Sequence, residues 1–73
     1  MNRVIKVGEN IARERKKRGI KQEDFAELVG VGRTAVQTWE RGGGDPRLIQ
    51  LCQVAEVLGL TLDELVYGGE DDA

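Results

Sequence analysis

The chain has 73 residues, with 11 lysines and arginines, 13 aspartates and glutamates, a single cysteine and no histidine. A chain without histidine cannot form a Ser-His-Asp triad or an imidazole metal site, and one cysteine provides neither a zinc cluster nor an internal disulfide. A domain of this size has room for one modest hydrophobic core and not for a deep catalytic cavity as well. We therefore expect one domain that is not an enzyme and that holds no metal or cofactor.

The net charge of −2 is unevenly distributed along the chain. Residues 1–41 contain ten basic and six acidic side chains, for a net charge of +4, whereas residues 42–73 contain one basic and seven acidic side chains, for a net charge of −6. Such asymmetry is typical of a protein that directs one face at a polyanion, although short chains also segregate charge by chance.

Two further features bear on where the protein acts. No stretch approaches the roughly 20 apolar residues of a membrane span, and no signal peptide is visible. Cys52, the only cysteine, lies within an apolar segment, which fits a reduced compartment. We expect a cytoplasmic protein that does not enter the membrane.

Glycines divide the chain into short segments with helical spacing. The first predicted helix covers residues 7–18, in which Val7 and Ile11 face the same side, and Gly19 is a suitable residue to end it. A second helix is predicted over 22–29 and a third over 33–41. The residues of these two helices that are predicted to face the core are Phe25, Leu28, Val29, Val36 and Trp39.

A glycine-rich loop over residues 42–46 precedes the second half of the chain. Asp45 is a good N-cap and Pro46 a good first helical residue, so a fourth helix is predicted from this point to Leu58. A helical wheel gives this helix an apolar face about 160° wide. The face is formed by Leu48, Leu51, Cys52, Val54, Ala55 and Leu58. Thr61 and Glu64 have the spacing of a capping box, which predicts a short fifth helix to about Val66.

The sequence contains no alternating pattern typical of β-strands. We therefore predict an all-α fold, a compact bundle of four to five short helices. The predicted domain covers residues 1–67, and residues 68–73 are predicted to form an acidic, disordered tail.

Residues 22–41 have the features of a helix-turn-helix motif. Ala26 is small enough for two helices to cross at close range, and Gly30 tolerates the positive φ angle that a sharp turn requires. The side chains predicted to close the core beneath this crossing are Val31, Val36 and Trp39. In such a motif the second helix faces outward and can enter a DNA major groove, while the first lies across the phosphate backbone.

The chain resembles the Cro/repressor-type helix-turn-helix domains of phage lambda repressor-like and XRE-type regulators. The resemblance covers residues 7–66, and its specificity comes from the order and spacing of short motifs. These are VGENI at 7–11, GIKQ at 19–22, FAELVGV at 25–31, RTAV at 33–36, WERG at 39–42 and LGLTLDEL at 58–65. The resemblance implies a sequence-specific transcriptional regulator of a bacterium or phage, most often a repressor. Such a protein binds a pseudo-palindromic operator in double-stranded DNA as a homodimer.

The resemblance also implies roles for individual residues. In this family the third helix is the recognition helix. Its residues expected to contact DNA bases are Arg33, Thr34, Gln37 and Thr38. Arg33 suits guanine and Gln37 suits adenine, while a threonine can contact a thymine methyl group or a phosphate. Those expected to contact the DNA backbone are Lys21, Gln22, Arg41 and Gly43. For each of these residues the alternative is an ordinary solvent-facing position.

Arg15 and Glu40 match a semi-buried ion pair that, in the family, ties the first helix to the third. The alternative is two separate surface charges, which would contribute little to stability. Lys21 and Gly32 depart from the family pattern, because each stands where a serine or threonine usually caps the following helix.

Two other functions stay open at this point. One is a protein-binding adaptor that keeps the fold and uses Ile49, Val57 and Leu60 to bind a partner. The other is an antitoxin or restriction-modification controller, which would bind DNA and also a protein partner. The dimer surface is expected at the end of the fourth helix and in the fifth, with Val57, Leu60, Leu62, Leu65 and Tyr67 as the candidate residues.

Overall fold

The computed structural model describes residues 5–68 of the chain. Five α-helices follow one another: α1 (Val7–Lys17), α2 (Gln22–Val29), α3 (Arg33–Arg41), α4 (Leu48–Leu58) and α5 (Leu62–Tyr67). No strand occurs in residues 5–68, and the predicted all-α helix bundle is confirmed. Apart from Gly68, the predicted acidic tail lies outside the described residues.

The start of α4 differs from the prediction by two residues. Asp45 and Pro46 belong to the preceding loop, and Arg47, with an extended backbone at φ −70° and ψ 163°, is the N-cap. The backbone N–H of Arg47 donates to Oε1 of Gln50 at 2.9 Å. Gln50 is the third residue of α4, and its side chain folds back to accept this hydrogen bond. It thereby pairs one of the N–H groups that the start of a helix leaves without a partner. Pro46 instead lies buried.

Smaller differences affect two other helix ends. Helix α1 stops at Lys17, with Arg18 as the C-cap, and α5 continues to Tyr67, one residue beyond the predicted end. The capping box at the start of α5 forms as predicted, because Thr61 Oγ1 accepts from the Glu64 N–H at 3.1 Å.

The hydrophobic core is drawn from all five helices. It consists of Val7, Ile11, Phe25, Ala26, Val29, Val36, Trp39, Val54, Ala55, Leu58 and Leu65. Three apolar side chains predicted to face this core are exposed instead, namely Leu28, Leu48 and Cys52. On α4 the inward side chains are Leu51, Val54, Ala55, Val57 and Leu58. At 100° per residue these five span about 160°, but the buried arc is turned toward Val57, which leaves Leu48 and Cys52 beyond its other edge. Leu65, expected at a dimer surface, is fully buried.

Helices α2 and α3 form the predicted helix-turn-helix. Gly30 has φ 88°, and the N–H groups of Gly30 and Val31 both donate to the Ala26 carbonyl, at 2.8 and 2.9 Å. Only a residue without a Cβ adopts this left-handed conformation without strain. Ala26 itself is 3% exposed. The turn therefore holds α3 across α2 with its opposite side toward solvent.

Candidate nucleic-acid interface

The outward side of α3 is formed by the residues predicted to read DNA bases. Val36 and Trp39 anchor the inner side of this helix in the core. The four candidates Arg33, Thr34, Gln37 and Thr38 lie on the other side, within about 140° of one another on a wheel of 100° per residue. Arg33 and Thr34, in the first turn, are exposed, whereas Gln37 and Thr38 are half-buried. The helix thus presents its N-terminal turn most prominently.

Three of the predicted DNA-contacting residues come together at the start of α3. Arg33 lines one shallow depression with Lys21 and Gln22, which lie at the start of α2. Arg15 and Glu23 complete its lining. Lys21 is exposed, so its ammonium group and the Arg33 guanidinium make this end of the motif basic. The start of α2 and the start of α3 are therefore neighbours in space.

A second group forms at the other end of α3. The Gly43 N–H donates to the Thr38 carbonyl at 2.9 Å, which folds the loop back against the last turn of the helix. Arg41 and Gly43 are both exposed there. A Cβ at Gly43 would lie 3.3 Å from Thr38 Cγ2 and 3.8 Å from Arg41 Nε, so the three residues share one small surface. The two predicted backbone-contacting groups therefore flank the predicted base-reading side chains.

Arg15 and Glu40 join α1 to α3 through two parallel hydrogen bonds. Arg15 Nε donates to Glu40 Oε2 at 2.7 Å, and Nη2 donates to Oε1 at 2.9 Å. The two side chains are only 8% and 9% exposed. Arg15 Nη1 also donates to the Ile20 carbonyl at 2.8 Å. This paired, bidentate geometry fixes the orientation of α3 relative to α1.

Burial and hydrogen bonding act in opposite directions on the pKa of Glu40. Burial alone would raise it, but hydrogen bonds from Arg15 and Gln22 and the charges of Arg15 and Lys16 outweigh burial, so the pKa lies below its ordinary value. The same hydrogen bond raises the pKa of Arg15 against the effect of burial. Both groups are therefore charged at neutral pH.

Gln22 has a structural contact that sequence reasoning missed. Its Nε2 donates to Glu40 Oε1 at 3.0 Å, so the side chain is held by the ion pair at the start of α2. Gln22 is half-buried and lies beside Arg33 in the depression described above. No local pattern signals this contact, because Gln22 and Glu40 are 18 residues apart.

Arg18 is a second residue whose role sequence reasoning missed. Its Nη1 donates to the carbonyl and to Oε1 of Glu14, both at 2.7 Å, and its Nη2 donates to the Leu58 carbonyl at 2.6 Å. Arg18 therefore ties the end of α1 to the end of α4. The i, i+4 spacing with Glu14 is visible in the sequence, but the contact with Leu58 is not. The hydrogen bond from Arg18 lowers the pKa of Glu14, with help from the charges of Lys17, Arg18 and Arg13, and burial only partly opposes it.

Within residues 5–68, no cluster of acidic side chains and cysteine has the arrangement of a metal site. None of the helices in this part of the chain has the length and apolar character needed to cross a bilayer.

The chain was compared with protein families and with known proteins. Residues 11–65 match the helix-turn-helix family. The chain is 37% identical over 60 residues to the HTH-type transcriptional regulator y4dJ of Sinorhizobium fredii, covering 82% of this chain and 78% of that protein. It is 33% identical over 66 residues to the HTH-type transcriptional activator BcrR of Enterococcus faecalis. That match covers 90% of this chain but only 32% of BcrR, so the chain spans about a third of that relative.

Solved structures resemble the fold closely. The P22 c2 repressor, in a crystal structure with a synthetic operator, superposes with a TM-score of 0.81 and 34% identity, covering 85% of this chain and 94% of the chain in that crystal structure. The family match runs from Ile11 in α1 to Leu65 in α5 and so includes α2, α3 and α4 entirely. The chain therefore belongs to the helix-turn-helix family of Cro/repressor-type, lambda repressor-like domains.

Proposed function

We propose that this chain is a sequence-specific DNA-binding transcriptional regulator whose helix α3 reads the major groove. One observation carries the proposal: the outward side of α3 bears Arg33, Thr34, Gln37 and Thr38 between two groups of predicted backbone contacts. A helix of this width fits the major groove of B-DNA. The relatives y4dJ and BcrR are named transcriptional regulators, and the P22 c2 repressor binds its operator, which supports the same role here.

The proposed contacts follow from the chemistry of each side chain. Arg33, exposed in the first turn of α3, donates two hydrogen bonds to guanine O6 and N7. Gln37 reads an adenine, and Thr34 and Thr38 contact a thymine methyl group or a phosphate. Positioning on the duplex comes from phosphate contacts, which carry no sequence information. These are made by Lys21, Gln22, Arg41 and the Gly43 amide.

The proposed binding unit is a homodimer on a pseudo-palindromic operator. One such domain offers too few base contacts for useful specificity, whereas two copies related by a dyad place their recognition helices about 34 Å apart, in successive major grooves. Occupation of an operator that overlaps a promoter excludes RNA polymerase, so we propose repression. This role places the protein in the cytoplasm, on the nucleoid when it is bound.

An unbiased selection from a random double-stranded DNA pool tests the function. We expect enrichment of one site with dyad symmetry, and a reporter placed behind that site should be repressed by the protein. The same selection with Arg33→Ala should lose the preference at one base pair of each half-site, a loss worth about 1–3 kcal/mol for a bidentate contact. Arg13→Ala is the matched control, because it removes an exposed arginine that belongs to neither group of proposed DNA contacts. Arg13 lies on α1, close to Gly68 at the end of α5.

Two results would contradict the proposed function, and a third would contradict the role it gives to Arg33. The first is that no DNA is retained by the wild-type protein at low salt. The second is that retained DNA shows no common site. The third is that Arg33→Ala selects the same site with the same preferences as the wild type, which would remove Arg33 from base reading and leave the motif in place.

A protein-binding adaptor is the second candidate, and the exposed apolar surface of α4 is the observation that favours it. Ile49 is 72% exposed and Leu48 is 70% exposed. Of the three residues expected for this role, Ile49 is exposed, whereas Val57 and Leu60 are half-buried against the core. The absence of any DNA retention at low salt, together with a stable complex with another protein, would favour the adaptor.

A further inference from the structure

The Glu40 carboxylate is fixed by one neighbour and binds a second. Arg15 donates to both of its oxygens, with Nε at 2.7 Å from Oε2 and Nη2 at 2.9 Å from Oε1. Oε1 also accepts from Gln22 Nε2 at 3.0 Å. Two parallel hydrogen bonds from one guanidinium fix the plane of a carboxylate. Glu40 therefore offers Gln22 an acceptor in a fixed position.

This contact determines which end of the Gln22 amide points toward Glu40. An ionised carboxylate only accepts hydrogen bonds, whereas a glutamine amide has a donating NH2 group and an accepting oxygen. Gln22 must therefore turn its NH2 group toward Glu40, as the structure shows. Its oxygen then lies on the side of the amide away from the carboxylate, and the second N–H of the NH2 group remains available for a phosphate.

Arg33 is the neighbour of Gln22 that needs an acceptor. The two side chains line the same depression at the start of α2 and α3. A guanidinium has five N–H groups and no acceptor, and a bidentate contact with guanine uses two of them. One of the other N–H groups can donate to Gln22 Oε1 while Arg33 contacts the base. Such a bond restricts a long side chain that has many rotamers when it is exposed to solvent.

We propose that Glu40 is a positioning residue for base reading, because it sets the direction of the Gln22 amide and Gln22 in turn orients Arg33 on its guanine. The inference rests on the proposed function. It adds a side chain that contacts no DNA to those that determine sequence preference. The hydrogen bonds form one line from Arg15 through Glu40 and Gln22 to Arg33, in which every donor faces an acceptor.

Glu23 is a second acceptor in the same depression. Its side chain is exposed, whereas Gln22 is half-buried and held by Glu40. A side chain that is already held loses less conformational entropy when it binds Arg33. Gln22 is therefore the better residue to orient Arg33, and Glu23→Gln tests the alternative.

Glu40→Gln tests the role, since it keeps the shape of the side chain and removes its acceptor-only character. The new amide can turn either a donor or an acceptor toward Gln22, so the direction of the Gln22 amide is no longer fixed. We expect the preference for guanine at the base pair read by Arg33 to fall about fivefold, the effect of one typical hydrogen bond. Preferences at the other base pairs should not change. Fluorescence anisotropy on single-base variants of the selected site measures this, with the full-length protein at a temperature where circular dichroism shows every variant folded.

Gln22→Met shows whether Glu40 acts through Gln22, because methionine has a similar length and no amide. This variant should lose the same fivefold preference for guanine. The double variant should lose no more than either single variant, since both changes interrupt one line of contacts. A purely structural role of Glu40 would instead weaken binding to all sequences alike, and its effect would add to that of Gln22→Met.

Glu14→Gln is the matched control. Glu14 is also a buried carboxylate bound by an arginine, since Arg18 Nη1 donates to its Oε1 at 2.7 Å. Its other ion pairs are with Arg13 and Lys17 on α1, so it takes no part in the line that includes Gln22. Glu14→Gln should destabilise the domain and leave the preference for guanine at the wild-type value.

The orientation of Gln22 can also be measured without DNA. In 15N relaxation experiments on the free wild-type protein, we expect the Gln22 Nε2 group to be as ordered as the backbone of α2, with an order parameter of about 0.8. In Glu40→Gln the value should fall below about 0.6, which is typical of a flexible group. The wild-type measurement needs no variant, so it tests the inference even where Glu40→Gln does not fold.

Four results would overturn the role of Glu40. They are a mobile Gln22 amide in the wild type, an unchanged preference for guanine in Glu40→Gln, additive losses in the double variant, and a loss of this preference in Glu23→Gln. If Arg33→Ala relaxes the site and Glu40→Gln does not, only this inference is refuted. If the Gln22 amide is ordered and no DNA site is selected, the proposed function is refuted and the role of Glu40 in base reading falls with it.

Discussion

Glu40 accepts hydrogen bonds from two other helices, and it thereby connects α3 to α1 and to the start of α2. Arg15 reaches it from α1 and Gln22 from the start of α2. Because Glu40 is one residue beyond Trp39, the same helical turn is held by a buried aromatic ring and by an ion pair. The orientation of α3 therefore depends on charge as well as on packing.

The Glu40→Gln variant should lower the free energy of unfolding at pH 7 by about 2–3 kcal/mol, because Arg15 loses its charged partner while shape is kept. In the wild type the pKa of Glu40 is lower in the folded than in the unfolded chain. The resulting stability is present above the unfolded value of about 4.3 and is lost as the pH falls through the folded value. Urea unfolding between pH 7 and pH 3 should show a smaller acid loss for Glu40→Gln than for the wild type.

Glu27→Gln provides the control, because Glu27 is an exposed carboxylate on α2. Its unfolding free energy should stay within about 0.5 kcal/mol of the wild type at pH 7, as for surface substitutions in general. The lowered pKa of Glu14 has the same sign, so part of the acid loss should persist in Glu40→Gln. Equal pH profiles for the wild type and Glu40→Gln would contradict a stabilising role for this pair.

At the scale of the helices, α1 packs closely against α3 at Gly8. Gly8, in the first turn of α1, faces the backbone of Trp39, and a Cβ at this position would overlap the Trp39 carbonyl oxygen. That oxygen also accepts from the Gly42 N–H at 3.1 Å, so it belongs to the C-terminal cap of the recognition helix. Gly8 thus allows the start of α1 to pack against the end of α3 without a side chain between them.

Gly8→Ala should destabilise the domain by about 3 kcal/mol, toward the upper end of the range for overpacking, even though alanine is the better helix former. The backbone of α3 would have to move away, since a carbonyl oxygen cannot change rotamer. Thermal unfolding measures the loss, and operator affinity measured where the variant is still folded should fall as well. Gly44→Ala should have little effect, because its Cβ would lie 3.5 Å from Thr38 Cγ2, an ordinary contact. Equal melting temperatures for Gly8→Ala and Gly44→Ala would contradict this account.

Across the whole molecule, the net charge of −2 combines a basic first half with an acidic second half. Helices α1, α2 and α3 all lie in the basic half, whereas α4 and α5 lie in the acidic half. Apart from the Gly43 amide, the proposed DNA-binding residues therefore belong to the part of the chain with a charge of +4. An acidic protein can bind a polyanion in this way, because the local field at the contact matters more than the total charge.

The affinity for the selected operator should fall linearly on a log–log plot against salt, with a slope of about −0.9 per neutralised phosphate. Lys21→Ala should weaken binding to all sequences alike and reduce the magnitude of the slope by about 1 for each half-site. Lys17→Ala, which removes an exposed lysine at the end of α1 that pairs with Glu14, should leave the slope unchanged. Fluorescence anisotropy at several salt concentrations makes the comparison. A slope near zero for the wild type would contradict phosphate contacts as the source of affinity.

The sequence by itself determined the order and approximate ends of the helices, and the helix-turn-helix within them. These features depend on local physics: apolar residues at helical spacing, glycines that tolerate a positive φ at helix ends, and a capping box such as that of Thr61. Family resemblance then predicted which residues face DNA, and the structure brings Lys21, Gln22 and Arg33 together.

Only the tertiary structure decided what depends on contacts between distant residues. The exposure of Leu28, Leu48 and Cys52 follows from which side of each helix its neighbours cover, and a helical wheel alone does not fix that side. The Arg18 bond to the Leu58 carbonyl joins residues 40 apart. The apolar surface of α4 became visible for the same reason: periodicity shows that a side chain is apolar, but packing decides whether anything within the chain covers it.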